Sequence, residues 1–273
     1  MTAFRAACVQ LRSSDDVEDN IRAASELIRE SKGKGAEFVA TPENTTLMAP
    51  DGGAKLENSF PEEHDPALPR FRALAEELDI WLLIGSLAIK VSETKTANRS
   101  FLIDSKGRIA ARYDKIFLFD VDLPSGESYR ESNTVAGGNS AVIADLPWGR
   151  LGLSICYDLR FPQLYRSLAQ AGSSFLAVPS AFTETTGKAH WHVLLRARAI
   201  ENGAFVIAPA QGGMHANGRQ TYGHSLIVAP WGEIIAEGGT EPCVISADID
   251  PAAVKIARER VPSLRHDRDF EGP

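Results

Sequence analysis

Short apolar runs alternate with segments of helical period along almost the whole chain. Phe4–Leu11 reads as a buried strand. Residues 15–32 follow with Val17, Ile21, Ala24 and Ile28 on one helical face, and Gly33 and Gly35 stop that helix. Glu37–Ala40 reads as a second strand. Residues 66–79 repeat the helical spacing at Leu68, Phe71, Leu74 and Leu78, and Ile80–Ile89 is a long apolar strand. Three hairpins follow from short glycine-containing connections: Ser100–Asp104 with Arg108–Tyr113, Ala141–Asp145 with Leu151–Ile155, and Leu226–Ala229 with Glu233–Ala236. Helices are expected over 160–171, closed by Gly172, and over His190–Asn202, closed by Gly203. Strands are expected at Phe175–Pro179, Phe205–Pro209 and Cys243–Asp248. A last helix begins near Pro251, a residue favoured at a first helical position. Alternating strands and helices make much of the sheet parallel, while the hairpins add antiparallel pairs, so the expected class is a mixed α/β layer protein. No linker, repeat or low-complexity tract interrupts the pattern, so residues 1–273 read as one domain. The charged tail from about 258 to 273, with Arg258, Arg260, Arg265, Asp267, Arg268 and Asp269, is expected to leave the core and pack on a partner subunit.

With 273 residues, 44% of them hydrophobic, the chain can bury a large core. A formal net charge of -7 argues against a general nucleic-acid binder. The three cysteines, Cys8, Cys156 and Cys243, form no CxxC pair, which excludes zinc-ribbon and thioredoxin-type motifs and suits a reducing compartment. No apolar run approaches the roughly 18 residues of a membrane span, and the start lacks the pattern of a signal peptide. The expected setting is cytoplasmic, without a membrane partner.

Three polar residues stand where apolar strands end. Cys156 closes Leu-Gly-Leu-Ser-Ile and precedes a helix, so it is held rigidly at a turn whose N–H groups can face an oxyanion and whose helix N-terminus can lower the thiol pKa. Glu43 closes Phe-Val-Ala-Thr-Pro and is placed to act as a general base. Lys115 lies among aromatic and aliphatic residues, where a fixed charge can meet a developing oxyanion. Each has a plainer reading. Cys156 can be a small buried hydrophobe, Glu43 a solvated loop acid or helix cap, and Lys115 an edge-strand guard. Functional groups gather at strand carboxyl ends in open α/β sheets, and all three positions obey that rule.

Taken in order, Pro-Glu-Asn at 42–44, Asp-Lys-Ile-Phe-Leu-Phe-Asp at 114–120 and Ile-Cys-Tyr-Asp-Leu-Arg-Phe-Pro at 155–162 resemble the glutamate, lysine and cysteine motifs of the nitrilase superfamily, the carbon–nitrogen hydrolases. The likeness runs nearly end to end. One departure is Phe117, where many relatives carry histidine. The resemblance implies a four-layer α-β-β-α sandwich with two mixed sheets, assembled as a homodimer or larger homo-oligomer. It also implies a second glutamate at the site. Glu131 matches that position, and Glu127 is the rival assignment. In the implied mechanism Glu43 takes the proton of Cys156 and the thiolate attacks an amide carbonyl. Lys115 and the N–H of Tyr157 hold the oxyanion, ammonia leaves, and water resolves a thioester. No metal or organic cofactor is called for; His190 and His192, two apart on a helix, face different ways.

The segments 179–201 and 218–232 resemble the Nit branch of that superfamily, whose members act as amidases on α-keto acid amides. The nearest likeness is to amidases of deaminated glutathione, with ω-amidases the next neighbour. Such small-molecule substrates carry carboxylates, and burying a carboxylate demands a cation. Arg160 matches a binding position of the branch, and arginine suits bidentate carboxylate binding; its plainer reading is a surface ion pair. Phe182 and Thr186 match two further pocket positions, and Tyr222 and His224 are weaker pocket candidates. The rival readings are an N-carbamoyl amino acid hydrolase, another amidase or a true nitrilase, and, from another class, a catalytically inactive binding module.

Overall fold

The computed structural model describes residues 2–123, 126 and 128–272. Its strands are β1 Phe4–Gln10, β2 Phe38–Ala40, β3 Trp81–Lys90, β4 Thr96–Ile103, β5 Ile109–Asp114, β6 Asp120–Asp122, β7 Ser128–Arg130, β8 Val135–Ala136, β9 Ile143–Leu146, β10 Gly149–Gly152, β11 Ser173–Ala177, β12 Phe205–Ala208, β13 Gly212–Met214, β14 Gln220–Tyr222, β15 Leu226–Val228, β16 Ile234–Glu237 and β17 Cys243–Ile249. Its helices are α1 Val17–Gly33, α2 Gly52–Glu57, α3 Ala67–Leu78, α4 Pro162–Gln170, α5 Glu184–Asn202 and α6 Ala252–Arg260.

Two mixed sheets carry the fold. The first runs β17-β1-β2-β3-β4-β5, with β8 beside β4; the second runs β16-β15-β12-β11-β10-β9. In each, a parallel trio is extended by antiparallel strands: β1-β2-β3 in the first and β10-β11-β12 in the second. The period-2 alternation of β1 shows how the layers stack. Ala7 and Val9 face α1 and α3, where they pack with Ile21, Ile28 and Phe71. Phe4, Ala6 and Cys8 face the second sheet, among Leu151, Phe175 and Leu226. Phe4 stacks on Trp148 across the two sheets at 4.2 Å between ring centroids. The far face of the second sheet is covered by α4 and α5 through Leu164, Tyr165, Trp191 and Leu195. The order of layers is therefore α-β-β-α, the sandwich that the resemblance implied.

Local differences have identifiable causes. Helix α5 begins at Glu184, six residues before the helix expected from the sequence. Thr183 caps it by accepting from the Thr186 N–H, and Gly187 sits inside it because Tyr222 occupies the space beside it, 2.2 Å from where a Cβ would stand. Read along the chain, this Thr/Gly run looks like a breaker. The β10 ladder ends at Gly152, so only extended backbone carries residues 153–155 to Cys156. The hairpins β6-β7 and β13-β14 and the short helix α2 have no periodic signature. Beyond α6, Arg166 donates to the Ser263 carbonyl at 3.0 Å and pairs with Asp267, which draws the start of the tail onto α4. Among the described residues no helix is long and apolar enough to cross a membrane.

One close approach positions the site. At Gly85 a Cβ would stand 2.0 Å from the Thr41 carbonyl oxygen and 2.4 Å from that of Pro42, so β3 and the end of β2 can meet only because the side chain is missing. Both obstacles are backbone and cannot rotate away. Gly85→Ala should therefore lower stability by about 2–3 kcal/mol or more and displace the segment that carries Glu43. Denaturant midpoints for the variant and the wild type check this.

Candidate active site

Three segments deliver one charge each to a common point. The chain leaving β2 bends at Asn44, whose φ is +56°. The Asn44 N–H donates to Ser86 Oγ at 2.9 Å, and Gln211 Nε2 donates to the carbonyls of Glu43 and Asn44, both at 3.1 Å. That bracing turns Glu43 inward, where it is 4% exposed. The chain leaving β5 turns Lys115 to the same point, 2% exposed. Its N–H donates to the Asn98 carbonyl and its own carbonyl accepts from the Gly138 N–H. Glu131 begins a short turn after β7.

Lys115 Nζ donates to Glu43 Oε1 at 2.9 Å and to Glu131 Oε2 at 2.8 Å. An ammonium has three donors, so one remains for a further acceptor. Asn98 closes the array by donating to Glu43 Oε1 at 2.9 Å and Glu131 Oε1 at 3.2 Å. The Phe119 N–H donates to Glu131 Oε2 at 2.7 Å. The second oxygen of Glu43 accepts from the Ala181 N–H at 2.9 Å. Burial works against the Glu43 charge, but Lys115 outweighs it and holds the carboxyl at about 2. Burial likewise opposes the Lys115 charge, and Glu131 and Glu43 overcome it, raising the ammonium pKa well above its ordinary value.

Cys156 opens the turn Cys156–Arg160 with φ at +51°, a strained conformation for a side chain of this kind. Its own N–H is spent on the Pro179 carbonyl at 2.9 Å. The Tyr157 N–H lies in the first turn, where a helix offers no internal acceptor. The expectation that the turn's N-terminus lowers the thiol pKa is not met. Burial raises it, and the neighbouring Glu43 charge raises it further. The turn is only five residues long, too short a dipole to offset a carboxylate in contact. At rest the nucleophile candidate is a neutral thiol beside an ionised acid.

Asp158, fully buried, ties the cysteine turn to the lysine segment. It accepts from the Ile155 N–H at 2.8 Å, the Phe117 N–H at 2.9 Å and the Tyr113 hydroxyl at 2.6 Å. Burial pushes its carboxyl up to about 6 against those bonds. Phe117 itself stacks on Phe161 at 3.5 Å between ring centroids.

A cavity of about 520 Å³ opens above this floor and is lined by all four proposed catalytic residues, Glu43, Lys115, Glu131 and Cys156, and by Tyr157, Arg160, Phe182 and Thr186. Arg160 lies against the Phe182 and Tyr157 rings, 5.5 and 5.8 Å from their centroids. Its guanidinium reaches His190 Nδ1 at 3.3 Å. Lys55 and Arg219 also line the cavity. Among the described residues Arg160, Lys55 and Arg219 make no salt bridge with a carboxylate, and Arg219 Nε is buried without a partner. Glu127 lies outside the described residues. Tyr222 and His224 do not line the cavity. His224 points to Glu237 instead, because Tyr222 is wedged between Gly187 and the His224 ring. Sequence reasoning missed Asn98, Lys55, Arg219, Asp158 and the Ala181 N–H. Asp158, inside the cysteine segment, and Ala181 and Arg219, inside the segments 179–201 and 218–232, stood near signals that could have flagged them; Asn98 and Lys55 did not.

The chain matches the family model described as carbon–nitrogen hydrolase over residues 5–259. It is 42% identical, over 97% of its length and 98% of the relative's, to a Synechocystis protein named deaminated glutathione amidase. The crystal structure of the C. elegans NitFhit protein matches with a TM-score of 0.91 at 38% identity, covering 97% of this chain and 65% of that one. A mutant of the amidase from Nesterenkonia sp. AN1 matches with a TM-score of 0.82 at 25% identity, covering 97% of this chain and 94% of that one. That structure shows covalent addition of the acetamide moiety of fluoroacetamide at its active-site cysteine.

The charge balance has a testable sign. Because the Glu43 pKa falls from 4.5 to about 2 on folding, its charge contributes stability above pH 4.5 that is lost as pH drops toward 2. Lys115→Met removes the counter-charge and leaves the buried Glu43 and the part-buried Glu131 without it, which should cost about 3–5 kcal/mol at neutral pH. Burial then pushes Glu43 upward, so the variant should lose stability between about pH 5 and pH 8 while the wild type does not. Denaturant midpoints at both values check this: the variant's should fall and the wild type's should stay level.

Proposed function

The chain belongs to the carbon–nitrogen hydrolase family, and from that premise we propose that it is a cysteine amidase acting on deaminated glutathione. The observation that carries the substrate reading is the set of cavity cations, Arg160, Lys55 and Arg219, that make no salt bridge with a carboxylate among the described residues. A substrate with a carboxylate at each end supplies what they lack. The name of the Synechocystis relative supports the same substrate.

The chemistry follows from the resting state. Glu43 takes the Cys156 proton as the sulfur attacks the carbonyl carbon. Negative charge then forms on the carbonyl oxygen, which accepts from the third donor of Lys115 and from the Tyr157 N–H. Glu43 returns its proton to the leaving nitrogen, the carbon–nitrogen bond breaks, and a thioester remains on Cys156. Glu43 next takes a proton from water, the hydroxide adds to the thioester carbon, the carbon–sulfur bond breaks, and Glu43 returns the proton to the departing sulfur as the acid is freed. Glu131 and Asn98 act by holding Lys115 and Glu43 in place. With a primary amide the leaving group is ammonia. With deaminated glutathione it is the amino group of cysteinylglycine, and the acid is 2-oxoglutarate.

We read the chain further as a cytoplasmic homo-oligomer of one domain. Three unpaired cysteines suit a reducing compartment. Val193, Ile200 and Trp231 leave an apolar area at α5 and the β15–β16 turn, 69%, 54% and 52% exposed, which supports a subunit contact. Phe270, 90% exposed, gives the tail a group to place on a partner.

Product analysis tests the function. Wild-type protein should release cysteinylglycine and 2-oxoglutarate from deaminated glutathione. Cys156→Ala should retain its fold and lose essentially all turnover. Arg160→Ala should raise KM for carboxylate substrates at least tenfold, about 1.4 kcal/mol, with little change for neutral amides. Equal losses on both classes would remove Arg160 as the carboxylate clamp. Turnover of α-ketoglutaramate alone would keep the catalytic residues and move the substrate.

A further inference from the structure

We propose that His192, His224 and Glu237 form a binding site for a divalent transition-metal ion of the zinc class. The three come from separate elements. His192 is on α5, His224 on the turn before β15, and Glu237 ends β16. None of them lines the substrate cavity. His192 Nε2 and His224 Nδ1 each lie 3.0 Å from Glu237 Oε1, and one ligand atom from each residue falls within 4.8 Å of the others.

Those separations suit a metal. Zinc bonds of about 2.0–2.1 Å in tetrahedral array put ligand atoms about 3.3 Å apart. To admit the ion, each imidazole nitrogen moves a few tenths of an ångström away from Glu237 Oε1, and the two nitrogens, which lie within 4.8 Å of each other, close toward the same spacing. Two imidazoles and a carboxylate are also a donor set that zinc takes readily, leaving a fourth position for water.

The supports are fixed before any ion arrives. His224 has φ at +52°, outside the region that most side chains occupy. The Trp191 indole N–H donates to the His224 carbonyl at 2.7 Å, and the His224 N–H donates to the Gly239 carbonyl at 2.7 Å. Tyr222 stacks on the His224 ring at 4.4 Å and meets the His192 ring edge-on at 5.9 Å. A plain ion pair needs one histidine and no strained backbone. Here two rings converge on one oxygen. The site also sits against the cavity wall, because the Tyr222 N–H donates to the Phe182 carbonyl at 3.0 Å. Neighbouring histidines on α5 could not have revealed it, since two of its three members lie far along the chain.

Zinc affinity measured by competition with a chromophoric chelator tests the proposal, in the wild type and in Cys156→Ala, which removes the cavity thiol as a competing ligand. One equivalent should bind in both proteins in the micromolar range. His192→Ala and Glu237→Gln should each weaken binding at least tenfold. His224→Asn, which keeps a residue tolerant of positive φ, should do the same. His64→Ala should not. Cobalt should give the visible bands of a tetrahedral nitrogen and oxygen site in the wild type and lose them in Glu237→Gln. Binding that the three variants leave unchanged, or no micromolar binding in Cys156→Ala, would overturn the site.

Discussion

A single buried ammonium between two carboxylates, one buried and one part-buried, organises this molecule. Lys115 is 2% exposed, and Glu43 and Glu131 each lie within 2.9 Å of it. Burying ions is costly, and such an array adds little net stability over an apolar core. What it provides is geometry and charge. The ends of β2 and β5 and the turn after β7 must converge to satisfy it. Burial, and then the Glu43 charge, favour the protonated Cys156 thiol over the opposing pull of Lys115, and Glu43 gives its proton an acceptor in contact.

The rest of the fold makes that arrangement affordable only by local concessions. Asn44 and Cys156, at the two strand ends that meet over the site, both adopt positive φ. Gly85 gives up its side chain so that β3 can approach the Glu43 segment. Asp158 joins the cysteine turn to the backbone just after Lys115, so the segments that carry Cys156 and Lys115 are tied to each other. Strained or unusual positions cluster where chemistry is placed, as expected when surrounding packing over-determines them.

Much of this was legible in the sequence. The strands with clear period-2 or apolar signals and helices α1 and α3 lie where periodicity predicts them, and the Glu, Lys and Cys positions stand out as polar residues ending apolar runs. The convergence itself was not legible. Asn98 lies inside an ordinary-looking strand segment, and nothing local says that its amide will bridge two acids. Lys55 and Arg219 sit in irregular segments without periodicity. The start of α5 was hidden because Thr183 and Gly187 read as a break, whereas one caps the helix and the other makes room for Tyr222. The direction of the thiol's pKa shift was misread, because a turn's N-terminus is visible in sequence and burial beside a carboxylate from over a hundred residues away is not. The His192, His224 and Glu237 group was invisible for the same reason.

The most direct test of the central claim is the charge of Cys156 in the resting protein. Thiolate absorbance near 240 nm, taken as the difference between wild type and Cys156→Ala, isolates this thiol from Cys8 and Cys243. A buried thiol beside the Glu43 carboxylate predicts no thiolate signal at neutral pH and none until the ordinary thiol pKa of roughly 8.5 has been passed. An absorbance step at or below neutral pH would mean a preformed thiolate–lysine pair, and would contradict the role of Glu43 as the base that activates the nucleophile.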